Sequence, residues 1–282
     1  MRNIYSGWLS GNALKLLACI TMFLDHLGAF LFPGVLWLRL VGRIAMPLFA
    51  FTLAEGCCFT RSKGRHLALI GGMGLVTSTV ASIATGEVQG DILITFALSC
   101  LVIGGLDALK QACFSGRARA GRIALSAAAL AAVLGGAVWL CCCSGIRIEY
   151  GLTGVLLPVT VHLFDFRSCG ERGEALSAVL YHPVSAILPF AAGLIVLSLV
   201  QGWAQWFSLA ALLPIAFYSG ERGRRQLKYF FYLFYPAHLA LLGGIALFLL
   251  WVLRFFAGHL LTTPPVSCKV RKDQCPVLCG GL

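Results

Sequence analysis

Asp25 and His26 stand side by side in an apolar stretch, Leu14 to Phe32, that is long enough to cross a bilayer, and the next stretch, Val35 to Phe59, carries Arg39, Arg43 and Glu55. An ionisable group at membrane depth costs roughly 2.5–3.5 kcal/mol on insertion scales, so five of them in two spans mark a site. Arg39 and Arg43, at i and i+4, share one helical face. A minimal turn at Phe32-Pro33-Gly34 joins the two spans, so they run antiparallel and that face can turn toward Asp25 and His26. Neighbours at i and i+1 diverge by about 100° on a helix. Asp25 is therefore expected to pair with Arg39 or Arg43, and His26 to act as a base suited to neutral pH. The alternative is structural: Asp25 neutralises Arg43 for insertion, and the imidazole fills a polar gap.

A second polar group lies in the last apolar segment, where Tyr229, Tyr232 and Tyr235 are followed by Pro236 and His238. Proline removes a backbone donor and frees a carbonyl one turn earlier, which suits a polar cavity, although tyrosines at this boundary also form ordinary interfacial belts. Glu55 enters at a similar depth. Helix rise puts Asp25, His26 and Arg43 in the outer half of the membrane, with Glu55, Tyr235 and His238 two or three turns deeper.

The elements that must hold these residues are helices. A chain of 282 residues that is 59% apolar and 12% charged has too little polar surface for a water-soluble globule. Runs of about 20 apolar residues, the length that crosses a bilayer, occur at 14–32, 35–59, 66–85, 91–109, 123–145, 151–165, 177–200, 203–218 and 229–254. The sixth and eighth are short. The fold class predicted is an all-α polytopic bundle of about nine spans, eight to ten at the limits, with residues 1–254 as one domain and 255–282 as a cysteine-containing tail. The first span lacks a small-residue cleavage site and reads as retained.

Lys and Arg concentrate in alternate loops: Arg61, Lys63 and Arg65; Lys110, Arg117, Arg119 and Arg122; Arg167 and Arg172; Arg222, Arg224, Arg225 and Lys228. The positive-inside rule places these loops and the amino terminus in the cytoplasm of a multi-pass cell-membrane protein. The net charge of +11 is thereby explained by topology and anionic lipid, with no nucleic acid as partner. Most of the 12 cysteines sit in or beside apolar segments and read as small hydrophobes, Cys57 and Cys58 among them. Cys268, Cys275 and Cys279 form an incomplete ligand set, so no metal is expected.

The string from Leu14-Lys15-Leu16 to Asp25-His26-Leu27-Gly28, then Leu38-Arg39 through Gly42-Arg43-Ile44-Ala45-Met46-Pro47-Leu48-Phe49 to Glu55-Gly56, resembles the opening of the TraX family. Asp91-Ile92-Leu93 with Thr95, Glu149-Tyr150-Gly151, and Leu227-Lys228-Tyr229 through Tyr235-Pro236-Ala237-His238-Leu239 follow in family order. The resemblance implies a membrane acyltransferase that moves an acetyl group from acetyl-CoA to a pilin-like amino terminus or an envelope glycan. By position it implies a catalytic His26 with Arg43 nearby, and the closing Tyr235-Pro236-Ala237-His238 block resembles a last-span motif of the wider membrane acyltransferases. Read with the residues, the expected catalytic set is His26, Asp25 and Arg43, with Arg39, Glu55, Tyr235 and His238 as substrate contacts. A polar channel is expected in which the pantetheine arm passes Tyr235 and His238 to reach His26. A proton-coupled transporter or channel is the rival, since buried Asp, His, Arg and Glu also build relays, but no inverted repeat is visible.

Overall fold

Pro47 breaks the second span beside Arg43. Its nitrogen cannot donate to the Arg43 carbonyl four residues back, and its ring crowds that carbonyl. The span therefore divides into α2 (Leu36–Gly42) and α3 (Ala45–Phe59), with Arg43 and Ile44 in a tight corner where their amides reach back only three residues, to Leu40 and Val41. In this computed structural model, residues 5–60, 62–114, 120–166, 169–223 and 227–261 are described.

The other long apolar helices are α1 (Gly11–Phe30), α4 (Lys63–Thr85), α5 (Ile92–Phe114), α6 (Ala120–Cys142), α9 (Pro183–Gln201) and α11 (Lys228–Leu261). With α2–α3 counted as one span, 7 helices are long and apolar enough to cross a membrane. Two shorter apolar pieces complete the pattern: α7 (Gly151–His162), and a 3-10 helix (Trp203–Ala211) that runs into α10 (Leu212–Ala216). These are the sixth and eighth runs of the sequence, shorter than a bilayer as their lengths predict. The separate helix α8 (Gly170–Leu180) takes up the start of the seventh run, whose spanning part is α9.

Residues 1–242 form one compact unit. Its outer surface is apolar, with Ile20, Trp37, Val76, Val80, Ile83 and Leu199 exposed, while Leu14, Leu48, Phe51, Phe190, Leu194 and Ile215 are fully buried. Apolar residues outside as well as inside are what a lipid solvent selects, and the chain is a multi-pass membrane protein. We call the end that holds residues 5–10 and 217–223 proximal and the opposite end distal. At the proximal end the Leu9 amide donates to Phe217 O at 2.8 Å and the Gly11 amide to Glu221 O at 2.7 Å. The helix α11 enters beside the second turn of α1, where Lys15 Nζ lies 5.7 Å from the Phe231 ring centroid, and Tyr232 reaches back to His66 Nδ1 at 3.0 Å.

Toward the distal end the short strands β1 (Gln89–Gly90) and β2 (Arg147–Ile148) pair in parallel. They draw the chain back into the bundle, so that Asp91 lies level with Thr77 and Ser78, two turns before α4 ends. The second unit, residues 243–282, consists in its described part of the rest of α11, with an aromatic row Phe248, Trp251 and Phe255. The tail cysteines Cys268, Cys275 and Cys279 lie outside the described residues.

Candidate active site

Asp25 holds both arginines. Arg39 Nη1 lies 3.0 Å from Asp25 Oδ2 and donates to the Asp25 carbonyl at 3.2 Å, while Arg43 Nη2 lies 3.5 Å from Asp25 Oδ1. The close approach depends on Gly42, where an added Cβ would fall 2.3 Å from Asp25 Cβ. A side chain there would push Asp25 out of the corner that Pro47 creates. Among the described residues Arg43 Nε, fully buried, meets no acceptor.

His26 Nδ1 and His238 Nε2 are 2.9 Å apart. His238 Nδ1 is 2.7 Å from the carbonyl of Phe234, which can only accept, so the His238 proton sits on Nδ1. In neutral rings His238 Nε2 is then the acceptor, and His26 must donate through Nδ1. The chain of hydrogen bonds thus fixes one tautomer and leaves the lone pair of His26 on Nε2. His238 is buried while His26 is only half-buried. Phe234 stacks on His238 with ring centroids 4.8 Å apart, and Tyr235 meets it edge-on at 5.7 Å.

Two sequence expectations need correction. His238 and Tyr235 are not two or three turns from His26: His238 touches it, and Tyr235 bonds Asp91. The reason is the register of α11, which begins beside the second turn of α1, so counting rise from the start of the last apolar segment sets its residues too low. Glu55 is not part of this group either. It is buried at the proximal side, accepting from Tyr181 Oη at 2.7 Å and Tyr5 Oη at 3.3 Å. Those partners come from before the first span and before α9, and no local spacing reveals them.

Asp91 and Glu149 belong to the site although the sequence offered them only inside short family blocks. Asp91 caps α5, with Oδ1 accepting from the Leu93 and Ile94 amides at 3.1 and 3.2 Å. Glu149 precedes Tyr150 and Gly151, at φ 60° and 54°, a strained pair of left-handed residues clamped where Thr95 Oγ1 donates to Glu149 O at 2.6 Å. Both residues lie outside the spanning helices. Burial pushes the Asp91 carboxyl up, against hydrogen bonds from Thr77, Ile94, Ser78 and Tyr235. Burial is also the main cause that pushes Glu149 up to about 7, followed by the charges of Asp91 and Asp25. Glu149 nonetheless keeps exposed surface, and screening there moderates the shift.

A raised carboxyl binds its proton more tightly folded than unfolded. The stability linked to Glu149 is therefore full below its ordinary range near 4.5 and is lost as pH rises through about 7. Thermal melts in detergent across that window should fall less steeply for Glu149→Gln than for the wild type. Parallel curves would refute the placement of Glu149.

The fold and site define a polytopic membrane protein with a histidine pair and an aspartate–arginine cluster in the distal half of its bundle. The TraX protein family model matches residues 10–246, and the chain belongs to that family. It is 28% identical over 268 residues to a probable fimbrial assembly protein FimC, serogroup H1, of Dichelobacter nodosus, covering 85% of this chain and 97% of the relative. A stretch of 40 residues, 14% of this chain and 16% of the relative, is 53% identical to an uncharacterized protein of Rickettsia prowazekii (strain Madrid E). No solved structure matches the chain.

Proposed function

We propose that this protein is an acetyltransferase of pilus or envelope assembly that takes acetyl-CoA from the cytoplasm and acylates an amine or hydroxyl arriving from the other face. The supporting observation is the His238–His26 hydrogen bond, which leaves the lone pair of His26 on Nε2 in a site that also includes an unsatisfied Arg43 donor. His26 Nε2 takes the acceptor proton as the nitrogen or oxygen bonds the acyl carbon. Arg43, held by Asp25 with Arg39 alongside, stabilises the charge that develops on the acyl oxygen. When the carbon–sulfur bond breaks, the imidazolium returns its proton to the departing thiolate of coenzyme A.

Membership of the TraX family, linked to pilin acetylation, and likeness to a fimbrial assembly protein favour a pilin-like acceptor. An envelope glycan hydroxyl would use the same base. The basic loops set the proximal end in the cytoplasm, so the site lies nearer the outer face. The test is binding of labelled acetyl-CoA by the full chain purified in detergent. Saturable binding displaced by free coenzyme A is expected, and its absence would return the reading to a proton-coupled transporter. Orientation has its own test: a cysteine at Ser62, in a cysteine-free background, should resist impermeant maleimide in intact cells, and efficient labelling would invert the topology.

A further inference from the structure

A second buried polar cluster occupies the proximal half of the bundle, away from the histidine pair. Cys58 near the end of α3, His162 at the end of α7 and Asp165 in the turn beyond it converge: Cys58 Sγ is 3.4 Å from His162 Nδ1 and 2.8 Å from Asp165 Oδ2, and His162 Nδ1 is 3.8 Å from Asp165 Oδ2. His162 and Asp165 side chains are each 3% exposed. We propose that these three residues bind a zinc-class divalent metal ion.

With zinc–ligand bonds of about 2.0–2.3 Å, tetrahedral angles put neighbouring N, O and S ligands about 3.3–3.6 Å apart. The Cys58–His162 separation lies in that range and the His162–Asp165 separation just beyond it, while Cys58 Sγ and Asp165 Oδ2, now joined by a hydrogen bond, must move apart as the thiol proton leaves. The other side of the imidazole is built for the role. His162 Nε2 is 2.6 Å from Asp107 Oδ1, and the second oxygen of that carboxylate pairs with Lys63. A carboxylate on the far nitrogen fixes the proton there and turns the lone pair of Nδ1 toward Cys58 and Asp165, the arrangement found behind metal-bound histidines.

The chemistry of the set also selects the ion. Binding displaces the Cys58 proton to solvent, after which thiolate and carboxylate balance two positive charges while Asp107 balances Lys63. Lys110 Nζ stands on the carbonyl oxygens of His162 and Asp165 at 2.7 and 2.8 Å. A nearby ammonium disfavours hard ions held by charge alone, such as magnesium or calcium, and leaves those bound through sulfur and nitrogen. The sequence hid the site because Cys58 and His162 are 104 residues apart and only the fold joins them.

A neighbouring trio, Cys57, His66 and Cys100, makes the test discriminating. The full chain in detergent is stripped with chelating resin, reloaded with zinc or cobalt, desalted, and measured by elemental analysis and absorption. About one ion per chain and a sulfur-to-cobalt charge-transfer band are expected for the wild type. Cys58→Ser should lose the band, Cys100→Ser should keep it, and Asp107→Asn should weaken affinity about 10- to 100-fold. In the wild type, whatever the fate of the variants, zinc should protect Cys58 from alkylation while exposed Cys113 stays reactive. No stoichiometric metal, a band that survives Cys58→Ser, or Cys58 alkylated equally with and without zinc would each overturn the assignment.

Discussion

Replacing His26 with alanine is expected to reduce acetyl transfer about 10²–10⁴-fold, the contribution of a positioned general base, while the chain still inserts and binds acetyl-CoA. The side chain carries no buried charge that its loss would strand, and it is half-buried against lipid-side Phe30, 6.0 Å away ring to ring. His238→Ala acts through His26. Without the Nε2 acceptor the His26 ring loses the partner that fixes its tautomer and rotamer, and a misplacement of about 1 Å costs on the order of 10²-fold. The loss should fall on kcat with the Michaelis constant for acetyl-CoA little changed, since the two rings touch. This differs from the donor-binding role that the expected polar channel gives His238, and a variant in which only that constant rises would restore that role. Full turnover of His26→Ala with labelled acetyl-CoA would remove the base assignment altogether.

The parts of the site that were legible in the sequence are those governed by short-range geometry. The i, i+4 arginines and the two-residue Pro33-Gly34 turn constrain the first hairpin so tightly that Asp25 has few other partners to choose. Helix number was legible for the same reason, because hydropathy reports solvent directly, and the two shorter apolar pieces also show as short runs. Depth was harder. Hydropathy marks where a helix becomes apolar, whereas the level of Tyr235 and His238 is set by where α11 docks, and that depends on Lys15 against Phe231 and Tyr232 against His66. Asp91 and Glu149 escaped because a segment drawn back into the bundle by β1 and β2 looks like any polar loop. Glu55 lies with Tyr5 and Tyr181, partners from distant segments that no local spacing indicates.

Asp25→Asn should be the most damaging single change to folding. One carboxylate serves two guanidinium groups, and its removal leaves two like charges one turn apart at the helix break. Stranding a buried charge typically costs about 3–5 kcal/mol. Here the side chains of Asp25, Arg43 and Arg39 are 18%, 20% and 35% exposed, and water at Arg39 screens its share, so roughly 2–4 kcal/mol is expected. The variant should express poorly and melt earlier in detergent. Adding Arg43→Met removes the stranded charge together with its missing partner, and the double variant should recover much of the lost stability, since an apolar replacement of an ion pair is often neutral. It should not recover acetyl transfer, because the donor proposed to stabilise the acyl oxygen is gone. That divergence separates the two readings of the cluster: if Asp25 and Arg43 served only to let the hairpin insert, the double variant would regain turnover along with stability.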